Sequence, residues 1–244
     1  MRNIQIIIEY DGSNYCGWQR QENGISVQQK LEEAVVSITK EKSVLIGASR
    51  TDAGVHALGQ SGNFHTNSSI PIEKFAFAIN SVLPMDISVI KAIERKNDFH
   101  SRYHARQKTY VYQIFTRRIA SPFLKNYAYH CLYDLDFEKM REASKYIVGE
   151  HDFTAFMASG SQSKIFVRTI YEINIQKEND LILIEVTGNG FLYNMVRILS
   201  GTLLYAAIGK MKPSDIKTII QNKDRTLAGA TLPACGLYLK EIVY

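Results

Sequence analysis

Val167-Arg168-Thr169-Ile170-Tyr171-Glu172-Ile173-Asn174-Ile175-Gln176, then Lys177-Glu178-Asn179-Asp180, then Leu181-Ile182-Leu183-Ile184-Glu185-Val186-Thr187 is the stretch that decides the fold. Two runs rich in β-branched residues flank a short polar cluster, the pattern of a β-hairpin. Upstream, Asp136 is placed to cap a helix whose apolar face is Phe137, Met140, Ala143 and Ile147, with Gly149 at its end. Downstream, Phe191–Ile208 carries the helical stripe Phe191, Met195, Ile198, Leu199, Thr202 and Leu203. Hairpin strands bracketed by helices, without regular alternation of strand and helix, predict an α+β protein with antiparallel sheets.

The same alphabet runs through the first half. Ile4–Tyr10 reads as a strand, Asp11-Gly12-Ser13-Asn14 as a turn, and the loop continues through Trp18 to Gly24. Ser26-Val27-Gln28-Gln29 matches a capping box, and Val27, Leu31, Val35 and Ile38 recur at helical spacing behind it. A short strand over Ser43–Ile46, a loop over Gly47–Ala57 and a strand over Leu58–His65 follow. A helix over Ile72–Leu83 is ended by Pro84, and Ile87–Ile93 is the next strand. In the second half Thr109–Thr116 alternates like a strand, Pro213–Ile220 forms a short helix and Gly236–Val243 a last strand. Tyr10-Asp11-Gly12-Ser13-Asn14-Tyr15 and Val186-Thr187-Gly188-Asn189-Gly190-Phe191 share an order of strand, Gly/Asn turn and aromatic, which suggests two related halves. With a basic linker near residues 98–108 as boundary, the domains are expected at 1–105 and 106–244, with the active-site cleft between them.

With 244 residues, 45% of them hydrophobic, the chain can bury a sizeable core. Apolar runs such as Leu203–Ile208 fall far below the roughly 18 residues a bilayer requires. Met1-Arg2-Asn3-Ile4 leads straight into a strand pattern rather than into a signal peptide, so the expected compartment is the cytosol. Cys16, Cys131 and Cys235 lie far apart, which argues against a disulfide framework and a cysteine zinc site. The six histidines form no H-E-x-x-H pattern, and His100 and His104, four apart, sit in basic surroundings. No metal and no cofactor are expected.

The net charge of +5 is mild, but its distribution is not even. From Arg95 to Arg118 there are seven Lys/Arg (Arg95, Lys96, Arg102, Arg106, Lys108, Arg117 and Arg118) against the single acid Asp98. Phe99, Tyr103, Tyr110, Tyr112 and Phe115 are interleaved with them. Cations neutralise phosphates and aromatic faces stack on unpaired bases, so the mixture suits RNA. A solvated charged face over ordinary core aromatics reads equally well from composition alone.

The stretch densest in chemistry is Gly47-Ala48-Ser49-Arg50-Thr51-Asp52-Ala53-Gly54-Val55-His56-Ala57. Small residues surround one arginine and one carboxylate; they permit a tight turn and the close approach of a bulky substrate. Arg50 can hold a phosphate beside Asp52. The plain alternative is that Thr-Asp-Ala-Gly is only a turn.

This loop resembles the signature G-x-G-R-T-D-A-G-V-H-A of the TruA-type tRNA pseudouridine synthases. Further blocks resemble the family in family order: Phe64-His65-Thr66, Lys108-Thr109-Tyr110-Val111-Tyr112, Val167-Arg168-Thr169-Ile170, Gly188-Asn189-Gly190-Phe191-Leu192-Tyr193-Asn194-Met195-Val196-Arg197 and Gly236-Leu237-Tyr238-Leu239. The chain departs from the pattern at Ser49, where the family usually has glycine; serine fits there with φ below zero.

The resemblance implies isomerisation of uridine to pseudouridine at positions 38, 39 and 40 of the tRNA anticodon stem-loop, by a homodimer of two-domain protomers. It implies Asp52 as the catalytic nucleophile or base, acting on the sugar or on C6 of the ring. Tyr110 is implied to hold the flipped base, although alternation puts Tyr110 and Tyr112 on the same face. Arg197 corresponds to the family's basic partner of the aspartate, Arg50 to a backbone-phosphate contact or flipping aid, and Leu237 or Leu239 to a leucine near the uracil. Two rival classes are a non-catalytic tRNA-binding protein, which can dispense with Asp52, and a carboxylate-dependent glycoside or nucleoside hydrolase, which generally uses two acids.

Overall fold

The computed structural model describes residues 1–161 and 163–244. In chain order its strands and α-helices are β1 (Arg2–Tyr10), α1 (Val27–Thr39), β2 (Ile46–Gly47), β3 (His56–Thr66), α2 (Ile72–Asn80), β4 (Ile87–Arg95), β5 (Gln107–Phe115), β6 (Tyr129–His130), α3 (Phe137–Lys145), β7 (Gly149–Asp152), β8 (Val167–Glu178), β9 (Leu181–Gly188), α4 (Met195–Ala207), α5 (Asp215–Asn222) and β10 (Leu237–Val243). The class is α+β, as the pattern of hairpins and helices predicts. Two compact units divide the chain: Met1–Arg106 with Tyr238–Tyr244, and Gln107–Leu237.

In the first unit β1 lies between β3 and β4, antiparallel to both, and β2 pairs with β3. The alternation of β1 gives this sheet two unlike faces. Ile4, Ile6 and Ile8 are fully buried with Phe64, Phe75, Ile79, Val27 and Leu31. Each such side chain contributes about 1.5–3 kcal/mol by leaving water. Asn3 and Gln5 point the other way, on the face shared with Ser61 and Asn63 across the ladder. Ser26 caps α1 by accepting from the Gln29 amide at 3.2 Å, but the Gln29 side chain donates to Glu33 at 2.9 Å rather than reaching back.

In the second unit β5, β9, β8 and β7 pair in that order, all antiparallel. The β8–β9 hairpin turns at Asn179 and Asp180, with Asn179 at φ 54°. Helix α4 is almost entirely buried, and it meets the segment 229–230 backbone to backbone: a Cβ at Gly201 would lie 1.9 Å from the Ala230 carbonyl oxygen. Only glycine permits that approach.

Several expectations are corrected. The sheets are not purely antiparallel: β10 runs parallel to β3 through Tyr238↔His56 and Leu239↔Ala57, and β6 runs parallel to β5. Neither partner arrives by a hairpin, so chain order could not set its direction. The helix expected from Phe191 begins at Met195, because Asn194 takes the left-handed conformation at φ 59°. Helix α2 stops at Asn80, the strand expected over Ser43–Ile46 is reduced to Ile46–Gly47, and the helix expected over Pro213–Ile220 runs over Asp215–Asn222. Gly149, at φ 118°, opens β7 instead of closing a helix. Among the described residues no helix is long and apolar enough to cross a membrane.

Candidate functional site

The loop carrying Arg50 and Asp52 is built in layers from its surroundings in the first unit. The first amides of an α-helix have no intrahelical partner. In α1 the Val27 and Gln28 amides donate instead to the Gly17 and Trp18 carbonyls, at 3.2 and 3.0 Å. Trp18 in turn donates its amide to the Thr51 carbonyl at 3.0 Å. The start of α1 thereby positions residues 17–18, and these position the backbone beside Asp52.

Two glycines make the approach possible. A Cβ at Gly17 would meet the Thr51 oxygen at 2.6 Å, and one at Gly12 would meet the Val55 oxygen at 2.0 Å. Gly47 receives the Trp18 indole, whose Nε1 would lie 2.2 Å from an added Cβ. From the other side, β3 holds the loop's entrance: Ala48 donates its amide to the Ser61 carbonyl at 2.8 Å, and Gln60 donates its side-chain amide to the Ser49 carbonyl at 2.9 Å. Ser49 has no left-handed backbone, so the family's usual glycine is not required here.

The turn itself closes when Val55 donates to the Asp52 carbonyl at 3.1 Å, with Gly54 at φ 76°. Positive φ at the third residue is what a type II turn needs. Asp52 is half-buried and Arg50 exposed. The Thr51 hydroxyl is buried 2.7 Å from that of Tyr10. His56, 2% exposed, accepts from the Gly12 amide through Nδ1 at 3.1 Å, and its ring stacks on Tyr238 at 4.7 Å. The arrangement presents one carboxylate on a turn whose neighbours on both sides are fixed by backbone contacts.

Tyr110 and Arg197 belong to the second unit. Tyr110, on β5, is buried, with its ring edge-on to Phe191 at 5.2 Å and 82°. Tyr112, two residues on, is fully buried and donates its hydroxyl to the Pro233 carbonyl at 2.8 Å; burial pushes its phenol well above the usual range. Alternation leaves these tyrosines equivalent, and their surroundings separate them: Tyr112 is a core ring tied to the backbone. Arg197, in the first turn of α4, donates Nε to the Leu232 carbonyl at 2.6 Å and Nη1 to Asn194 Oδ1 at 2.7 Å. Those bonds orient the guanidinium on an otherwise apolar helix.

The basic segment is sorted by burial. Tyr110, Tyr112 and Phe115 belong to the core, whereas Tyr103 is 75% exposed. Arg95 and Arg117 lie over the rings of Phe99 and Phe115, at 5.1 and 5.2 Å, while Arg102 and Arg106 are exposed. The His100 ring accepts from the Arg102 and Tyr103 amides at 3.1 and 3.3 Å, a local turn rather than a ligand pair.

A family model described as tRNA pseudouridine synthase matches residues 6–104 and 143–244. The chain belongs to the tRNA pseudouridine synthase family. Its relatives cover it from end to end. The tRNA pseudouridine synthase A of Thermoanaerobacter sp. strain X514 is 51% identical over 244 residues, 100% of both chains. That of Caldicellulosiruptor saccharolyticus is 52% identical over 244 residues, again 100% of both. The tRNA pseudouridine synthase A 2 of Clostridium tetani is 52% identical, covering 100% of this chain and 99% of its own. A chain of a solved Cbf5-Nop10-Gar1 complex aligns with 97% of this chain and 48% of its own length, at 12% identity and a TM-score of 0.40, too low a similarity to establish a shared fold. Arg50, Asp52 and Arg197 fall inside the matched ranges of the family model, and Tyr110 falls in the gap between them.

Sequence reasoning missed the residues that hold the loop: Tyr10, Gly12, Gly17, Gln60 and His56. Gly12 stands in a turn cluster and Gly17 in the loop that follows it, but nothing in their spacing tells that they press on residues 51–55.

Proposed function

We propose that this family member isomerises uridine to pseudouridine at positions 38, 39 and 40 of the tRNA anticodon stem-loop, with Asp52 as the catalytic carboxylate. The observation that carries the reading is the Arg50-Thr51-Asp52 turn, seated against Gly12 and Gly17 and leaving its one carboxylate half-buried. In the reaction the bond from C1′ to N1 breaks, C1′ joins C5 of the same base, the C5 proton departs and N1 gains a proton. No redox change occurs. Asp52 serves as nucleophile or base, on the sugar or on C6 of the ring. A base inside a helix is out of reach of such a group, so the uridine leaves the stack.

Tyr110 meets the flipped base, and Arg197 and Arg50 are the cations of the substrate site. Arg197 arrives pre-oriented by Leu232 and Asn194, which lowers the entropic cost of using it. The working form in this proposal is a cytosolic homodimer. Incubation with unmodified tRNA followed by chemical mapping of pseudouridine tests the reaction and the positions together. Pseudouridine confined to other positions overturns the site assignment, and release of free uracil overturns isomerisation in favour of hydrolysis.

A further inference from the structure

The second face of the first unit's sheet is polar and yet buried. Asn3, Gln5, Ser61, Asn63 and Ser101 are all 0–1% exposed. Burying amides costs free energy unless each finds a partner. Here the partners are the backbone of residues 96–101. Asn3 donates Nδ2 to the carbonyls of Lys96 and Phe99, at 3.1 and 2.8 Å. Asn63 donates to Asn3 Oδ1 at 2.9 Å and to the Phe99 carbonyl at 3.3 Å, and receives the Ser101 amide at 2.9 Å.

A second chain of bonds ends on the same segment. Arg95 donates Nε to Gln5 Oε1 at 2.7 Å, and Gln5 donates Nε2 to Ser61 Oγ at 2.8 Å. The Tyr244 hydroxyl lies 2.7 Å from Ser61 Oγ and 3.0 Å from the Ser101 carbonyl. The Tyr244 hydroxyl is the donor toward both, its one proton shared between the Ser61 oxygen and the Ser101 carbonyl. The Tyr244 ring also leans on Phe99 at 5.0 Å.

We infer that this polar face is a cradle that holds residues 96–106 in one conformation for RNA, and that Tyr244 is a positioning residue for tRNA binding, acting through Ser101 and Phe99. An apolar face would also cover the segment, but directional bonds to named backbone atoms fix its register. What the segment shows to solvent includes Lys96, Arg102, Arg106 and the Tyr103 ring, against the single acid Asp98. Pinning them in advance removes part of the ordering cost of binding a polyanion. The inference rests on the proposed tRNA substrate.

The test is Tyr244→Phe, which removes the hydroxyl and keeps the ring, in the full chain. Expected are faster hydrogen exchange of the amides at residues 99–104 with β1 and β3 unchanged, a rise of about fivefold in KM for tRNA, and kcat within twofold. Ser200→Ala is the control: its Oγ, on α4, is likewise buried with no hydrogen-bond partner, so its removal leaves exchange at residues 99–104 and KM unchanged. Unaltered exchange at residues 99–104 overturns the pin. Faster exchange with unaltered KM overturns its bearing on tRNA. A fall in kcat alone overturns the assignment to binding. Arg102→Gln with Arg106→Gln in the wild-type background separates the two readings: if tRNA affinity is unchanged by that pair, it is the RNA contact of the segment that fails, and the inference with it.

Discussion

The hydroxyl groups of Tyr10 and Thr51 meet at 2.7 Å inside the first unit, one at the end of β1 and the other one residue before Asp52. A strand laid down by its isoleucines therefore ends in a bond to the loop that carries the carboxylate. Tyr10→Phe removes that bond and keeps the ring. Denaturant unfolding is expected to show a loss of about 0.5–1.5 kcal/mol, and steady-state kinetics a larger fall in kcat than rise in KM. Unchanged kcat means that the loop keeps its geometry without this hydroxyl.

Gly12→Ala forces a methyl group against the Val55 carbonyl, at a separation no real Cβ adopts. The loop must shift. Shifts of about 1 Å near reacting groups can cost on the order of a hundredfold in rate. The expected outcome is a collapse of kcat of that order with tRNA affinity nearly intact, read by pseudouridine formation and by filter binding. A fully active variant would show that residues 51–55 tolerate displacement.

Asp52→Asn keeps the size of the side chain and the turn that its backbone carbonyl accepts from Val55. Pseudouridine formation is expected to vanish, with tRNA affinity within a few-fold of wild type. Robust turnover by the purified variant removes Asp52 from the chemistry.

Binding to tRNA is expected to weaken steeply with salt. Arg102, Arg106 and Arg117 are all exposed, but Arg117 is spent in part on the Ile119 and Ala120 carbonyls. Neutralising all three flattens the log–log salt slope, by about 0.7–0.9 for each phosphate that no longer meets a cation, with Arg102 and Arg106 giving most of it. An unchanged slope in the triple variant places the RNA on another face.

The tyrosines of β5 give opposite expectations. Tyr110→Ala is expected to impair substrate binding by roughly 1–3 kcal/mol, the usual worth of a stacked base, and Tyr110→Phe to bind normally but turn over slowly if the hydroxyl relays a proton. Tyr112→Ala instead opens the core and should lower stability by about 3–5 kcal/mol, as large-to-small changes of buried aromatics do. Catalysis abolished in a well-folded Tyr112→Ala protein, with Tyr110→Ala active, reverses the assignment of the two rings.

Much of this was legible from the chain. Ile4, Ile6 and Ile8 announce a strand by alternation, Ser26 announces the start of α1, and Asn179-Asp180 announces a hairpin turn, because each signal is local. The parallel pairing of β10 was not legible, since a partner distant in sequence leaves no local mark. The start of α4 was misplaced because Phe191 and Leu192 continue an apolar pattern while Asn194 breaks the helix through its φ. At the site, Arg50-Thr51-Asp52 stood out by composition. The roles of Gly12, Gly17 and Tyr10 depend on which backbone passes which, and separation in sequence conceals that. Tyr110 and Tyr112 share a period, so their surroundings rather than their spacing tell them apart: Tyr112 donates to Pro233, and the Tyr110 ring stands edge-on to Phe191.

The return of residues 238–244 to the first unit orders events during synthesis. A ribosome completes β1, β3 and β4 and must then translate all of residues 107–237 before β10 exists. Through that interval the edge of β3 at His56 and Ala57 lacks the strand that pairs with it, and His56 lacks the Tyr238 ring. An unpaired strand edge invites association with other chains. The nascent first unit is therefore exposed to mispairing at the root of the Asp52 loop until residues 107–237 have been made and β10 follows them.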